Sequence, residues 1–177
     1  YAHSSSVAGL TLSVWALGRG STYYPMIISN MDSSSPFQGC EIRWKDTLRQ
    51  TEFLCENTVA IDSSYVHNLN EWYHYVGIWN GSDVVLYING EFIDSTTRAS
   101  LQTPINNYDI GKRSDGAFNW NGSIDEVLIY NDSLTDSEVK ELYKAGLSQH
   151  ANANATLQTR VSNNYNITDE DLISLWS

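Results

Sequence analysis

The alternation of apolar and polar residues along residues 72–91 predicts β-strands joined by tight turns. Residues 84–88, the second run, are β-branched and aromatic. Asn80-Gly81 separates this run from the first, and Asn-Gly is the strongest short-range hairpin signal because both residues tolerate a positive φ. Asn89-Gly90 turns the chain again before a third run. The pattern predicts a meander with apolar residues on both faces, as in a sheet that is covered on both sides.

A second hairpin is predicted for residues 39–45 and 51–56, which carry the two cysteines of the chain. In one register Cys40 faces Cys55 and the apolar faces of both strands align, so we predict a disulfide worth about 3 kcal/mol through loop-closure entropy. Thr47-Leu48 is poor turn chemistry, which leaves open a bulge or longer loop that shifts the register by one. Two free buried thiols are the alternative. A disulfide would place the protein outside a reducing cytosol.

The chain changes character after its last predicted strand. Thr135 and Glu138 have the spacing of a capping box and predict a helix over residues 134–143, with Gly146 as its C′ residue. In residues 147–167 polar residues and Ala dominate, which predicts a linker or an extended arm. Apolar residues return at Leu172, Ile173, Leu175 and Trp176. We therefore divide the chain into a domain of residues 1–146, an arm of residues 147–167 and a final strand in residues 168–177.

Four pieces of the chain resemble the laminin-G-like jelly roll of the concanavalin A-like superfamily. They are, in chain order, residues 10–15 (L-T-L-S-V-W), residues 72–90 (W-Y-H-x-V followed by L-Y-I-N-G), residues 121–130 (N-G-S-I-D-E-V-L-I-Y) and the helix of residues 134–143. The resemblance implies an all-β fold, a two-sheet antiparallel jelly-roll sandwich with one short helix, here followed by the extended C-terminal arm. It says little about function, because one fold hosts many functions.

The charge balance narrows the range of partners. Ten basic residues against twenty-one acidic residues give a formal net charge of −11. Nucleic acid is disfavoured as a partner, because phosphate binding needs clustered Lys and Arg. No apolar run approaches the roughly 20 residues that a membrane-spanning helix needs. Solubility is the simple interpretation of the charge, and cation binding is the sharper one.

Asp125 is the main candidate metal ligand. It lies on the same side of its predicted strand as Val127 and Ile129, which should face the core, and a buried carboxylate needs a partner. The resemblance implies a structural Ca²⁺ near the rim of the sandwich and carries this role only to Asp125. Asp32 and Asn30 are further candidate ligands from an oxygen-rich loop. The alternative is an aspartate that accepts backbone N–H bonds.

Other residues are candidates for binding or modification. Tyr23, Tyr24 and Trp120 lie in or beside loops and are candidates for contacts with a glycan, since aromatic faces stack on sugar rings, although most aromatic residues of the chain are expected in the core. Five sequons permit N-glycosylation, at Asn80, Asn121, Asn131, Asn154 and Asn166.

The sequence gives little indication of catalysis. It contains neither a G-x-S-x-G elbow nor an H-E-x-x-H helix. Asp125 and Glu126 are adjacent on one strand and should point to opposite faces, so they should not flank one glycosidic bond. We predict a non-catalytic extracellular or cell-surface module for adhesion or recognition, or a repeat unit of a surface structure. A Ca²⁺-dependent carbohydrate-binding module is the first alternative, and a glycoside hydrolase is a disfavoured one.

The final apolar segment suggests assembly. Residues 171–176 (D-L-I-S-L-W) resemble the strand with which laminin-G-like units often open, and that strand would precede Tyr1. The segment either begins the next unit of a tandem repeat or is donated to a neighbouring subunit by strand addition. A tail that folds back onto its own sandwich is the alternative, and a capping box at Thr168 and Asp171 also allows a short helix there instead. The partners expected are therefore a glycan or protein at the cell surface, or other copies of the chain.

Overall fold

The strands of this chain form because β-branched and aromatic residues alternate with polar residues between turn signals. The computed structural model describes residues 9–20, 23–31, 38–45, 48–56, 58–101 and 107–150, with the main chain alone for residues 58–60. The elements within these ranges are β1 (Leu10–Gly18), β2 (Met26–Ser29), β3 (Cys40–Lys45), β4 (Gln50–Cys55), β5 (Thr58–Val66), β6 (Trp72–Trp79), β7 (Asp83–Ile88), β8 (Glu91–Thr97), β9 (Asp109–Ile110), β10 (Gly122–Tyr130) and α1 (Asp136–His150).

The strands form two antiparallel sheets. Sheet A has the order β10-β1-β6-β7-β8, and sheet B has the order β5-β4-β3-β2-β9. Both predicted Asn-Gly turns are present, one between β6 and β7 and one between β7 and β8. The fold is therefore the predicted two-sheet antiparallel jelly-roll sandwich with one helix near the C-terminal end of the described chain.

The core lies between the facing sheets. Leu12 and Val14 of β1 are fully buried opposite Ile42 and Trp44 of sheet B. Gly77 on β6 allows close approach of the sheets, because a Cβ there would lie 2.8 Å from the Phe53 ring. The other faces of the sheets differ: α1 packs on sheet A, and a charged surface covers sheet B.

The disulfide hairpin has the predicted register. Cys40 pairs with Cys55 and Ile42 pairs with Phe53 across β3 and β4, without a shift. The two cysteines form a disulfide. Both the predicted register and the predicted bond are therefore confirmed.

The helix is longer than the sequence predicted. Its start is confirmed, because the Thr135 N–H donates to Glu138 Oε2 at 2.7 Å and the Glu138 N–H donates to Thr135 Oγ1 at 3.4 Å. The predicted end at Gly146 is wrong, since the helix continues through residues 147–150. Gly146 is buried against Trp15, so its missing side chain serves close packing of the helix. The rest of the predicted arm and the predicted assembly strand, residues 151–177, lie outside the described residues.

One long side of the sandwich is closed. β5 of sheet B contacts β8 and β7 of sheet A across the gap. On this side Ile61 is 1% exposed and Ile93 is packed against the core. The core is therefore covered where these strands meet.

On the opposite side of the sandwich, the described parts of β9 and β10 leave apolar side chains exposed, although Tyr108 and Trp120 pack against the core there. Ile110 pairs with the core-facing Ile28, yet it is 51% exposed. Ile129 pairs with the core-facing Leu12, yet it is 39% exposed, and Leu128 on the other face of β10 is also 39% exposed. Among the described strands, none lies beyond β9 or β10.

Candidate functional site

The outer face of sheet B carries a cluster of charged side chains. These residues alternate with core residues along β3, β4 and β5, and they are Glu41, Arg43, Lys45, Glu52 and Asp62. Arg43 Nε donates to Glu52 Oε2 at 2.8 Å, and Arg43 Nη1 donates to Glu41 Oε1 at 3.1 Å. Two carboxylates therefore hold the guanidinium in one orientation from two sides. We call this set the charged face.

The two carboxylates that hold Arg43 are buried. Glu41 is 2% exposed and Glu52 is 3% exposed, although both lie on the face that points away from the core. Burial raises the pKa of Glu41, and the charge of Arg43 partly opposes this rise. Glu41 also accepts a hydrogen bond from Ser29 Oγ at 3.2 Å. A buried carboxylate needs a charged or hydrogen-bonding partner, and Arg43 is the partner that both carboxylates share.

Arg43 supports the first group of loop aromatics. Its Cζ lies 4.5 Å from the centroid of the Tyr24 ring, in a cation–π contact. Tyr23 packs edge-on against Tyr24 with centroids 4.7 Å apart, and Tyr23 is 66% exposed. Tyr23 also lies 5.9 Å from Phe118. We call Tyr23, Tyr24 and Phe118 the aromatic rim.

The third ring of the rim, Phe118, is held in the same way. Arg113 places its Cζ 4.4 Å from the centroid of the Phe118 ring and pairs with Asp115 at 2.5 Å. Phe118 and Tyr24 both have a positive φ, 57° and 45°, which is unfavourable for aromatic residues. Strained backbone of this kind often occurs at binding sites, where the surrounding contacts maintain it.

The structure separates the three predicted glycan contacts. Tyr23 and Tyr24 lie together in the rim, whereas Trp120 is half-buried and contacts the core. The Trp120 ring packs edge-on against Trp44 at 4.7 Å and is joined to the core. Tyr23 is the exposed residue of the three, Tyr24 and Trp120 are half-buried, and a binding role for each of them stays a prediction.

Asp125 does not face the core, so that prediction is wrong. It pairs with Trp15, on the side of β1 that points away from the core, and its side chain is 57% exposed. A bulge breaks the alternation: the register of β1 and β10 shifts between Ser13 and Trp15, and Glu126 has a φ of 46°. Both carboxylates consequently lie on the same side, 3.8 Å (Asp125) and 3.7 Å (Glu126) from His150 Nε2. The prediction that Asp125 and Glu126 point to opposite faces is therefore also wrong.

The predicted calcium ligands are not brought together where the structure describes them. Asn30 is buried in sheet B, where its Oδ1 accepts the Cys40 N–H at 2.8 Å, whereas Asp125 lies on the outer face of sheet A. Asp32 lies outside the described residues. Within those residues no group of three His, Cys, Asp or Glu side chains is arranged to hold a metal ion. The described donors do not fit a calcium site, and calcium binding stays a prediction.

Three of the five sequons lie on the described surface. Asn80, Asn121 and Asn131 are exposed, whereas Asn154 and Asn166 lie outside the described residues. Asn80 Oδ1 accepts the N–H groups of Ser82 (3.0 Å) and Asp83 (2.8 Å) and so organises the β6–β7 turn. Glycosylation stays a prediction.

Sequence reasoning missed all of the charged face and one of the three rim residues, Phe118. Charged residues alternate with apolar residues along β3, and Glu52 lies on the partner strand β4. This pattern was a usable signal, because opposite charges that face each other across a hairpin attract. Arg113 and Phe118 gave no comparable signal. They reach the site through tertiary folding of a distant loop.

The described chain is a sandwich of two five-stranded antiparallel sheets with one helix packed on the outer face of sheet A. A family model for Laminin_G_3, of the concanavalin A-like lectin/glucanases superfamily, matches residues 2–140. The chain belongs to this family. Among curated proteins, none matches the chain significantly.

Solved structures show the same fold. The CBM40 of a Ruminococcus gnavus IT-sialidase has a TM-score of 0.64 at 16% identity over 78% of this chain and 84% of its own. Domain 4 of a GH43 extracellular arabinanase from Geobacillus stearothermophilus, solved with arabinotriose, has a TM-score of 0.62 at 20% identity over 78% of this chain and 68% of its own. A Bacteroides ovatus protein of proposed carbohydrate-binding function has a TM-score of 0.64 at 14% identity over 76% of this chain. The present chain spans 40% of that last protein. At these identities the likeness concerns the fold.

Proposed function

We propose that this chain is a non-catalytic extracellular module that binds a glycan at the aromatic rim and the adjoining charged face. One observation carries the proposal: a continuous set of contacts fixes an exposed tyrosine. Glu41 and Glu52 hold Arg43, Arg43 supports Tyr24, and Tyr24 supports Tyr23. A ring that is 66% exposed yet supported in this way loses little freedom on binding.

The chemistry of the rim suits a sugar. A pyranose or furanose ring presents an apolar face that stacks on an aromatic ring, and its hydroxyls bond to charged planar groups beside that ring. The rim supplies the aromatic face, and Arg43 and Arg113 supply guanidinium groups next to it. Both cations are already paired with carboxylates, so the surface favours a hydroxyl-rich ligand over a strongly anionic one.

Two further observations support the proposal. The arabinanase domain was solved with an arabinose oligomer, and the R. gnavus module is a carbohydrate-binding module by name, so this fold is used for sugar binding elsewhere. The Cys40–Cys55 disulfide is typical of proteins that function outside a reducing cytosol. Among the described helices, none is long and apolar enough to cross a membrane.

Glycan-array screening followed by calorimetry tests the proposal. Tyr23→Ala should weaken binding of the best glycan about tenfold or more, the 1.4 kcal/mol that an aromatic anchor typically contributes. Phe92→Ala is the matched control, because Phe92 is also highly exposed (55%) but lies on β8 of sheet A. Arg43→Lys should also weaken binding, since an ammonium group does not reproduce the two-sided guanidinium contact.

Two results would contradict the proposal. Either no glycan binds the intact chain in the array, or Tyr23→Ala binds as tightly as the unaltered chain. If Phe92→Ala alone lost affinity, the binding surface would lie on sheet A and the rim would have no role.

A further inference from the structure

A groove crosses the outer face of sheet A beside the start of α1. Its volume is about 380 Å³, which is within the range of small-molecule sites. The outward-facing side chains of β7 form the floor, β8 forms one wall, and residues 133–136 form the other wall. Every residue that lines the groove belongs to the described part of the chain.

The floor of this groove is apolar. Ile78 and Tyr87 belong to the buried cluster that joins sheet A to α1, and Val85 and Leu134 pack against the same cluster. Because apolar surface is unfavourable in water, a ligand with an apolar body gains free energy by covering it. Such a floor does not suit a bare metal ion, which needs several oxygen ligands around it.

Two carboxylates border the floor from different elements. Asp83 is the first residue of β7, and Asp136 is the first residue of α1. Hydrogen bonds from Ser82 and Thr97 lower the pKa of Asp83, so its carboxylate stays ionised. Asp136 accepts a hydrogen bond from the Tyr87 hydroxyl, which fixes it at the helix wall.

Neither carboxylate has a cationic partner within the described chain. The ion pairs found there join other residues, and Lys140, about one helical turn after Asp136, does not pair with it. The acidic side chains in the first turn of α1, Asp136 and Glu138, also offset the positive end of the helix dipole. The groove therefore combines unpaired negative charge with an apolar floor.

We propose that this groove binds a small organic ammonium ion, whose charged group pairs with Asp83 and Asp136 and whose apolar body covers the floor. The inference does not depend on glycan binding, because the groove lies on sheet A and the aromatic rim lies over sheet B.

Charge distinguishes this occupant from the chain's own segments and from a second copy. Residues 1–8 contain no Lys or Arg, and residues 151–177 contain one, Arg160, against three acidic residues. A second copy carries a formal charge of −11 and is repelled at long range. The small volume also suits a free ligand better than a folded partner.

An NMR titration of the full chain tests the proposal with three probes that share one ring and differ in charge. Benzylammonium should give saturable shifts of the amides in residues 83–87 and 133–136. It should bind about fivefold more tightly than benzyl alcohol, the factor that one ion pair in contact with water contributes, and benzoate should bind most weakly. Added salt should lower the affinity for benzylammonium, because it screens the charges.

Substitutions that remove one charge test the two carboxylates. Asp83→Asn and Asp136→Asn should each lower the affinity for benzylammonium about fivefold and leave the affinity for benzyl alcohol unchanged. Binding of the neutral probe also shows that the variant is folded. Asp94→Asn is the matched control, because Asp94 is an exposed aspartate of β8 that does not line the groove.

Three results would overturn the proposal. Benzylammonium and benzyl alcohol bind equally well, or the shifts map outside the groove. Asp94→Asn loses as much affinity as Asp83→Asn, so that only the net charge matters. Arg160→Gln, which should have no effect, raises the affinity for benzylammonium, and the groove then belongs to the chain's own tail.

Discussion

Gly146→Ala is a substitution for which helix propensity and packing predict opposite signs. Gly146 lies inside α1, and replacing an interior helical glycine by alanine normally stabilises a protein by about 1 kcal/mol. Here a Cβ would lie 2.7 Å from Trp15 Cε2, closer still to Trp15 Nε1, and 2.7 Å from Glu126 Oε2. Real Cβ contacts are essentially never this short, so the helix or the tryptophan must move.

Trp15 has little room to move. It is 1% exposed, and its ring contacts Tyr143 at 5.6 Å and His150 at 4.6 Å between centroids. Overpacking of a filled site costs about 1–3 kcal/mol, which exceeds the propensity gain on average. We expect Gly146→Ala to lower the free energy of unfolding by about 1 kcal/mol, which lowers Tm by about 2–4 °C in a protein of this size.

Urea and thermal denaturation followed by circular dichroism measure this effect. Ser148→Ala is the control, since it changes propensity at an exposed helical position without a contact on Trp15. A double-mutant cycle isolates the clash: in a Trp15→Phe background the second ring is absent, and Gly146→Ala should then be neutral or stabilising. If Gly146→Ala alone raised Tm, the packing explanation of this glycine would be refuted.

Three further predictions concern the core, the pH dependence and the predicted metal. Replacing Cys40 and Cys55 by alanine should lower the free energy of unfolding by about 3 kcal/mol, since the disulfide closes a loop of 15 residues. Urea titration measures this loss, and an unchanged urea midpoint would refute the prediction. Burial lowers the pKa of His67 to about 3 and of His74 to about 4. The unfolded chain therefore binds more protons than the folded chain below pH about 6.5. The free energy of unfolding should fall from there toward pH 4 by up to about 1.4 kcal/mol per pH unit for each histidine. Glu41, whose pKa is raised by burial, partly offsets this loss, and a free energy of unfolding that does not change with pH would contradict the prediction. Calcium should raise Tm relative to chelator if the sequence-based metal prediction holds, and equal Tm values would eliminate it.

The parts of the fold that sequence predicts well are those set by local patterns. The register of β3 and β4 follows from apolar alternation, because only one alignment places Cys40 opposite Cys55 with both apolar faces on one side. The start of α1 follows from a four-residue motif, Thr135 to Glu138, that satisfies its own N–H groups. In both cases the residues that decide the structure are close in sequence.

The errors arise where a distant residue decides the local conformation. The regular alternation of a β-strand placed the Asp125 side chain in the core. The bulge at Glu126, where β10 pairs with β1, interrupts this alternation and turns Asp125 outward. Gly146 has the sequence features of a helix end, but Trp15, which lies far away in the sequence, requires a glycine there for packing. The aromatic rim depends in the same way on a contact between Tyr23 and Phe118, which no local pattern encodes.

The opposite placement of the rim and of α1 has a mechanical consequence. The rim lies over sheet B, whereas the chain leaves the described domain at His150, which packs on Trp15 and Trp72 of sheet A. Tension between a ligand held at the rim and the chain beyond His150 would therefore cross the whole sandwich, from sheet B through the core to sheet A and α1. The Cys40–Cys55 disulfide joins β3 and β4 in the sheet that carries the rim, so a covalent bond reinforces the loaded side of the domain.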